Sequence, residues 1–459
     1  MAVALTRELG RFIAAARFAD LPREAIESIR TAFTDTVCVM IAGAHEPAPR
    51  MLAAMLAPTG NEAMLVGGRA RAGALDAAWI NGTAAHVLDF DDIAERGGHV
   101  SAVLVPAVLA EAEALGASGA QMVLAYAVGY ETIAELVRRD ADQHHDKGWH
   151  PTPVFGAIGA AAACASLRGL DAAPATMAIA LSASQSCGIM SNVGTMTKSF
   201  HAGRAAHAGV ASARLAHTGF TAATDGFEHA AGFLAAVSPA GKFDVDAAVI
   251  AGSQWQICGA NRLSVKKYPL CFFAHRAADG MSDLLQAHKL NSQDVERITV
   301  SIGRPNAAVL RYHLPQTGLE AKFSMEFAMA CAVIAGRLTL GEFTTEFVRS
   351  ADVQALMQRV SVTPDDREDP RQPGYALHDR IAIDTRDGRR LDSGPVALLR
   401  GSAALPLKRE ELWAKFDGCL NSSPVRLPAR ELFETLMSLD AMPRIKELVR
   451  LMAPAASTV

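Results

Sequence analysis

Apolar residues recur at intervals of three and four along most of this chain, so helices are the first expectation. Ile26, Ile29, Phe33, Val37, Met40 and Ile41 follow Pro22 at that spacing and stop at Gly43. Pro22 suits a helix start, where its missing N–H would have had no partner within the helix. A second run spans Ala102 to Leu115 and ends at Gly116, and Ser118-Gly-Ala-Gln121 has the spacing of a capping box opening a third toward Arg139. Thr152-Pro153 starts another helix, whose Gly156, Gly159, Ala160 and Ala163 would let a neighbouring backbone approach closely. Asp171 is placed to cap a helix toward Ser186, and Lys198 leads into one lasting to about His217. Up to about residue 260 the pattern reads as helical throughout.

The texture then changes. Glu296 to Ile302 alternates polar and apolar residues, as a half-buried strand does. Phe323–Ile334 and Val353–Gln358 return to helical spacing, the second leading into Val360-Ser-Val362. Arg380–Asp384 and Arg389–Leu391 flank Arg386-Asp387-Gly388, a hairpin turn signal. From about Pro395 the helical period resumes, in Glu410–Phe416, Ala429–Met437 and Arg444–Met452. The economical arrangement is mainly α: a large all-helical domain formed by both chain ends, 1–262 and 396–459, with a smaller α+β lid domain inserted at 263–395. A cleft between two such domains is a default place for a small-molecule site.

With 459 residues, half of them hydrophobic, the chain has ample material for two cores. Its net charge of -4 and lack of a basic run argue against nucleic acid or an anionic membrane as partner. The seven cysteines are scattered, odd in number and without a C-x-x-C, which fits a reducing cytoplasm and argues against disulfides and structural zinc. The N-terminus lacks the basic and apolar regions of a signal peptide. Two uncharged tracts, Pro151–Leu167 and Ala172–Thr197, are broken by small and polar residues and read as close-packed interior helices.

Chemistry concentrates between Asn81 and His99, where Asp89, Asp91, Asp92, His86 and His99 share a neighbourhood rich in alanine. Asn81-Gly82 reads as a turn and Ala84, Ala85, Val87 and Leu88 as a buried helical turn. Acids at a helix end, then a flexible Gly97-Gly98 and a histidine, suit a metal site or a proton-transfer site. The plain structural alternative makes Asp91 and Asp92 helix caps and His86 a core histidine. Gly148-Trp-His150-Pro-Thr sets another histidine at a helix start. Gly194-Thr-Met-Thr-Lys198-Ser-Phe-His201-Ala-Gly-Arg204 sets three cationic or titratable groups at the next. A lysine among small apolar residues has a desolvated amine and can serve as a base. With no fixed partner for Lys198 in view, its removal is expected to leave stability nearly unchanged. Taken singly, Lys266, Lys267, His144 and His145 read as surface groups, while His275 ends an apolar run. No nucleophile elbow, P-loop, H-E-x-x-H or dinucleotide fingerprint occurs in the sequence. The inventory suits abstraction of a proton next to a carboxylate, with fixed cations holding the developing enolate.

Five segments, N81-G-T-A-A-H-V-L-D-F-D-D, G148-W-H-P-T, G194-T-M-T-K-S-F-H-A-G-R-A-A, K267-Y-P-L-C-F-F-A-H and E320-A-K-F-S, resemble the MmgE/PrpD family in order and over nearly the whole chain. That family includes 2-methylcitrate dehydratase, cis-aconitate decarboxylase and iminodisuccinate epimerase. The resemblance implies a lyase acting on a small di- or tricarboxylate, without cofactor or metal, as a homodimer. It assigns catalysis to Asp89, His99, His150, Lys198 and His275. His86, His201, Arg204 and Lys267, from the same segments, are expected to bind substrate. The dehydratase branch carries His-Pro-Ser-Asp where this chain has His99-Val-Ser-Ala, so the decarboxylase-like set is the better matched. The alternatives are an epimerase of the same family, a non-catalytic helical scaffold, and a magnesium-dependent terpenoid synthase, whose acidic motif Asp91-Asp92-Ile-Ala-Glu95 imitates. For the last, no second acidic cluster appears and aromatics are only 6%.

Overall fold

Gly82 and Gly203 set how two helices of the fold meet. A Cβ on Gly82 would stand 2.8 Å from the Gly203 Cα, and one on Gly203 would stand 2.2 Å from the Trp79 carbonyl oxygen. The helices Ala74–His86 and Met196–His217 therefore touch backbone to backbone. This corrects the expected turn at Asn81-Gly82, which lies inside the first of them. Asn81 earns its place differently: its side chain accepts from the Val66 N–H and donates to the Met64 carbonyl, both at 3.0 Å. Tertiary contacts override the turn preference of the pair.

The computed structural model describes residues 3–94, 96–259, 262–369 and 372–454. It is mainly helical, and it divides into two compact units, Met1–Ser264 with Arg409–Val459, and Val265–Lys408. In the first unit, helices Arg23–Gly43, Ser101–Leu115, Gly119–Val137, Pro151–Leu167 and Ala172–Ala183 join the pair above around an alanine-rich core. The capping box forms: Ser118 and Gln121 exchange side-chain and backbone hydrogen bonds. Asp171 occupies the N-cap position without making a capping bond. Close approach occurs where the small residues foretold it, with Gly159 set against the Gly129 backbone. Helix Arg409–Ser422 packs on Arg23–Gly43, and its Lys415 pairs with Asp35 at 2.5 Å.

The segment 218–259 departs from the helical expectation. It holds the short helix Phe233–Val237 and a single 3-10 turn, Gln256–Cys258, and is otherwise irregular. Glycine and aspartate interrupt any helical period there. Its backbone is satisfied by side chains of the helices instead: the Glu131 carboxylate accepts the N–H groups of Gln256 and Ile257, and Arg139 donates to the Ala247 carbonyl.

The second unit holds a four-stranded sheet in the order Val360–Asp365, Val295–Gly303, Arg380–Thr385, Arg390–Asp392. The first pair is parallel and the others antiparallel. Ile298, Val300 and Ile302 are fully buried, the alternation read from sequence. Helices His275–His288 and Met325–Ala335 cover it. The unit runs past 395 to Lys408, because the Val265 N–H bonds the Gly401 carbonyl and Arg400 pairs with Asp279. Among the described residues no helix is long and apolar enough to cross a membrane.

Candidate active site

Helix ends and the turns beside them deliver the titratable side chains to one place in the first unit. His86 closes Ala74–His86, and the chain then turns through Asp89, whose φ of 50° lies in the left-handed region. Aspartate tolerates that conformation better than most residues, and the turn folds 89–92 back along the helix end. His99 precedes helix Ser101–Leu115, and His150 is the N-cap residue of Pro151–Leu167. Lys198 and His201 sit in the first turns of Met196–His217.

Asp91 is the hub. One oxygen, Oδ2, accepts from Nδ1 of both His86 and His99, each at 2.9 Å. The two rings stand edge to face with centroids 4.5 Å apart. Their Nδ1 protons are thereby fixed, so Nε2 is the reactive nitrogen of each neutral ring. The Lys198 ammonium bonds the His86 Nε2 at 3.0 Å and the Asp89 Oδ1 at 2.5 Å. His99 Nε2 stands 3.9 Å from that same Asp89 oxygen. His150 stacks on His86 at 5.9 Å, and its Nδ1 meets the His201 Nδ1 at 3.1 Å, so one of these rings donates and the other accepts. All these residues are buried.

Burial in a low dielectric lowers the proton affinity of His86, with the attraction of Asp91 only partly offsetting it. Burial, then the Lys198 charge, holds His150 well below the usual histidine range, and burial with His86 brings His201 to about 4. Burial pushes Asp91 up, but His86 and His99 more than reverse that and hold it well below the usual carboxylate range. The resting cluster is thus an ionised Asp91, a Lys198–Asp89 ion pair and neutral histidines at 86, 150 and 201.

Behind it lies a second buried group, of which sequence reading singled out only Asp92. Ser101 Oγ donates to Asp92 at 2.6 Å and stands 2.6 Å from the Tyr126 hydroxyl. Lys415 pairs with Asp35 and also donates to the Phe90 carbonyl at 2.7 Å. Burial and the neighbouring Asp35 push Asp92 well up, and burial pushes Asp35 to about 6 despite Lys415. A lone acid within the apolar run Phe33–Ile41 was the available signal for Asp35.

The structure brings together Asp89, His86, His99, His150, Lys198 and His201. Arg204 contacts His207 and the Trp79 ring, 5.1 Å away, and bonds none of the cluster among the described residues. His275 and Lys267 belong to the second unit. His275 is fully buried against Tyr268 and Phe272, with Nε2 3.2 Å from the Leu270 carbonyl. Lys267 is half-buried, 3.8 Å from Asp279. Lys266 and His144, expected at the surface, are buried, His144 edge-on to Phe155. Two features of the cluster go beyond the sequence reading: Asp91 bonds both His86 and His99, and Lys198 has Asp89 as a fixed partner. Glu95 of the acidic motif lies outside the described residues; Asp91 and Asp92 face histidines and Ser101 instead of forming one acidic face. One donor atom each from His86, Asp89, Asp91 and His99 lies within 4.8 Å of the others, close enough to share a metal ion, though Lys198 already uses two of those residues.

A family model described as the MmgE/PrpD N-terminal domain matches residues 7–246, and one described as the MmgE/PrpD C-terminal domain matches 268–437. Among curated proteins, the chain is 28% identical over 354 residues to a cis-aconitate decarboxylase of Homo sapiens, covering 74% of this chain and 71% of that one. It is 26% identical over 393 residues to the cis-aconitate decarboxylase of Mus musculus, covering 82% and 78%. A cis-aconitate decarboxylase-like protein of Aspergillus oryzae is 23% identical over 480 residues, covering 98% and 97%.

Proposed function

This chain belongs to the MmgE/PrpD family, and we propose that it decarboxylates a small unsaturated polycarboxylate of the cis-aconitate class, without a cofactor. It is a lyase, as its curated relatives are. The observation that carries the substrate class is the buried set of Lys198, Asp89, Asp91 and four histidines, in which one cation and several neutral bases converge. A substrate carboxylate exchanging with Asp89 at Lys198 would gain a desolvated ion pair. As the bond to the leaving carboxylate breaks, CO2 departs and its electron pair stays on carbon, spread into the adjacent unsaturated acid. Lys198 steadies that charge, and a protonated imidazole delivers the proton that completes the product. His99 and His150 are the proposed proton carriers. In the free enzyme His150 is neutral, and arrival of a polyanion raises histidine proton affinity, which arms the donor.

The test is proton NMR of the purified protein in D2O with aconitate, citrate, methylcitrate and iminodisuccinate. The expected result is loss of aconitate signals with one deuterium in the decarboxylated product. Exchange without loss of CO2 would replace this reading with an epimerase or dehydratase. No turnover of the panel by folded protein would end the polycarboxylate reading.

We propose in addition that the chain works as a homodimer, as the resemblance implies; a single-protomer mass in solution would reject this.

A further inference from the structure

We propose that the Lys198 ammonium occupies the place of a latent divalent-metal site, so that an ion of the zinc class can displace it and switch the enzyme off. The donors are His86 Nε2, His99 Nε2 and Asp89 Oδ1. Lys198 Nζ lies 3.0 Å from the first and 2.5 Å from the last. His99 Nε2 and Asp89 Oδ1 are 3.9 Å apart. Tetrahedral zinc with bonds of about 2.1 Å holds its ligands about 3.4 Å from one another. The His99–Asp89 pair therefore needs to draw in by about 0.5 Å.

The surroundings already meet the second requirement of such a site. A zinc-bound imidazole normally gives its other N–H to a carboxylate, which fixes the tautomer and aims the free nitrogen at the metal. Here one oxygen of Asp91 does this for both rings. Two histidines and one carboxylate leave a fourth position open, as in metal sites that take a water or a substrate oxygen. Lys198 is the reason this chain need not be a metalloenzyme: it brings a cation to the same donors on a tether. An ion entering must evict it from Asp89, so the native affinity is weakened by the resident amine. The consequence is an inhibitory site, distinct from the cofactor-free activity proposed above.

The experiment uses the full chain, freed of metal by a chelator and then titrated with ZnCl2 by calorimetry and with CoCl2 by visible absorption. Lys198→Met is the decisive variant. It is expected to bind zinc at least ~10-fold tighter than wild type and to show the intense visible bands of tetrahedral cobalt. Native circular dichroism of the variant is confirmed first, because the cysteines and histidines of an unfolded chain also bind zinc. Asp91→Asn is expected to weaken binding ~10–100-fold, the usual effect of losing an outer carboxylate, and His99→Gln to abolish it. The wild-type enzyme is expected to lose turnover in zinc and regain it in EDTA. Affinity unchanged in Lys198→Met overturns the proposal. So does binding that survives His99→Gln but is lost in His201→Gln, which would move the ion to the His150–His201 pair. Because both binding readouts need no substrate, their failure is separable from failure of the decarboxylase reading.

Discussion

Asp91 and Asp92 are neighbours in sequence, both wholly removed from solvent, yet their charges differ. Asp91 faces two imidazole N–H groups and is held ionised. Asp92 faces Ser101 and the field of Asp35, and is driven to keep its proton. Burial penalises both carboxylates equally in kind, so it is the partner that decides. Their partners differ, so this turn separates a reactive histidine face from an inert acidic core. Asp91 spends its charge on fixing two tautomers. Asp92 spends none.

Breaking the reactive side is expected to have the largest effect. Asp91→Asn replaces the acceptor shared by His86 and His99 with a group that cannot serve both rings as an anion does. Both imidazoles lose their fixed tautomer, and kcat is expected to fall ~10²–10⁴-fold, the range of a general acid–base contribution. Steady-state turnover of a variant with native circular dichroism checks this; activity within a few-fold of wild type would reduce Asp91 to a structural role.

Lys198→Ala comes next, with kcat/KM expected to drop at least ~10²-fold, as for loss of one preorganised charge. Its effect on stability reverses the sequence-based expectation. The ammonium lies 2.5 Å from Asp89, so removing it strands a buried carboxylate, a loss of about 3–5 kcal/mol when one partner of a buried pair goes. A clear fall in Tm is expected at neutral pH, shrinking at acid pH where Asp89 can be protonated.

A smaller effect tests the neutral histidines. His201 titrates at about 4 in the folded protein and near 6.5 when unfolded, so between those values the unfolded chain holds the extra proton. Stability therefore rises with pH across that window and is lost as pH falls through it. The same linkage makes inhibitor binding proton-coupled: a tricarboxylate is expected to bind with proton uptake and to weaken as pH rises above neutrality. Calorimetry in buffers of different ionisation enthalpy reads the uptake directly, and a buffer-independent heat would contradict it.

The asymmetry between these two aspartates shows where sequence reading stops. Helix starts and ends were legible because they are local: the Ser118 box, the stop at Gly116 and the alternation around Val300 each depend on residues within a few positions. Asn81-Gly82 misled because its glycine serves a distant helix, through contact with Gly203. The cluster itself was visible as ionisable residues in an alanine-rich setting, and six of its members, Asp89, His86, His99, His150, Lys198 and His201, were named from motifs. Which aspartate would orient the histidines was not visible. Asp35 and Lys415, which flank Asp92, come from far along the chain on either side, and no spacing rule connects them. Nor did the irregular 218–259 segment announce itself, since its backbone partners are the side chains of Glu131 and Arg139.

Asp92→Asn is the substitution expected to do least, and it is the sharpest statement of the comparison. A protonated carboxyl and a carboxamide have the same shape, and each offers one oxygen acceptor beside a donor. The amide oxygen can accept from Ser101 Oγ as Asp92 Oδ2 does now. If Asp92 is neutral at pH 7, the exchange removes no charge, and kcat should stay within about 3-fold of wild type. Stability carries the sign. An acid whose folded-state pKa is raised contributes stability that is fully present below the unfolded value, near 3.9, and is lost as pH rises toward the folded value. Wild-type stability thus carries a falling contribution of up to about 1.4 kcal/mol per pH unit for this one proton. The variant has no proton to lose, so its alkaline limb should flatten and its Tm above neutrality should equal or exceed that of wild type. A variant that instead loses activity as Asp91→Asn does would mean that Asp92 is charged and belongs to the reactive face.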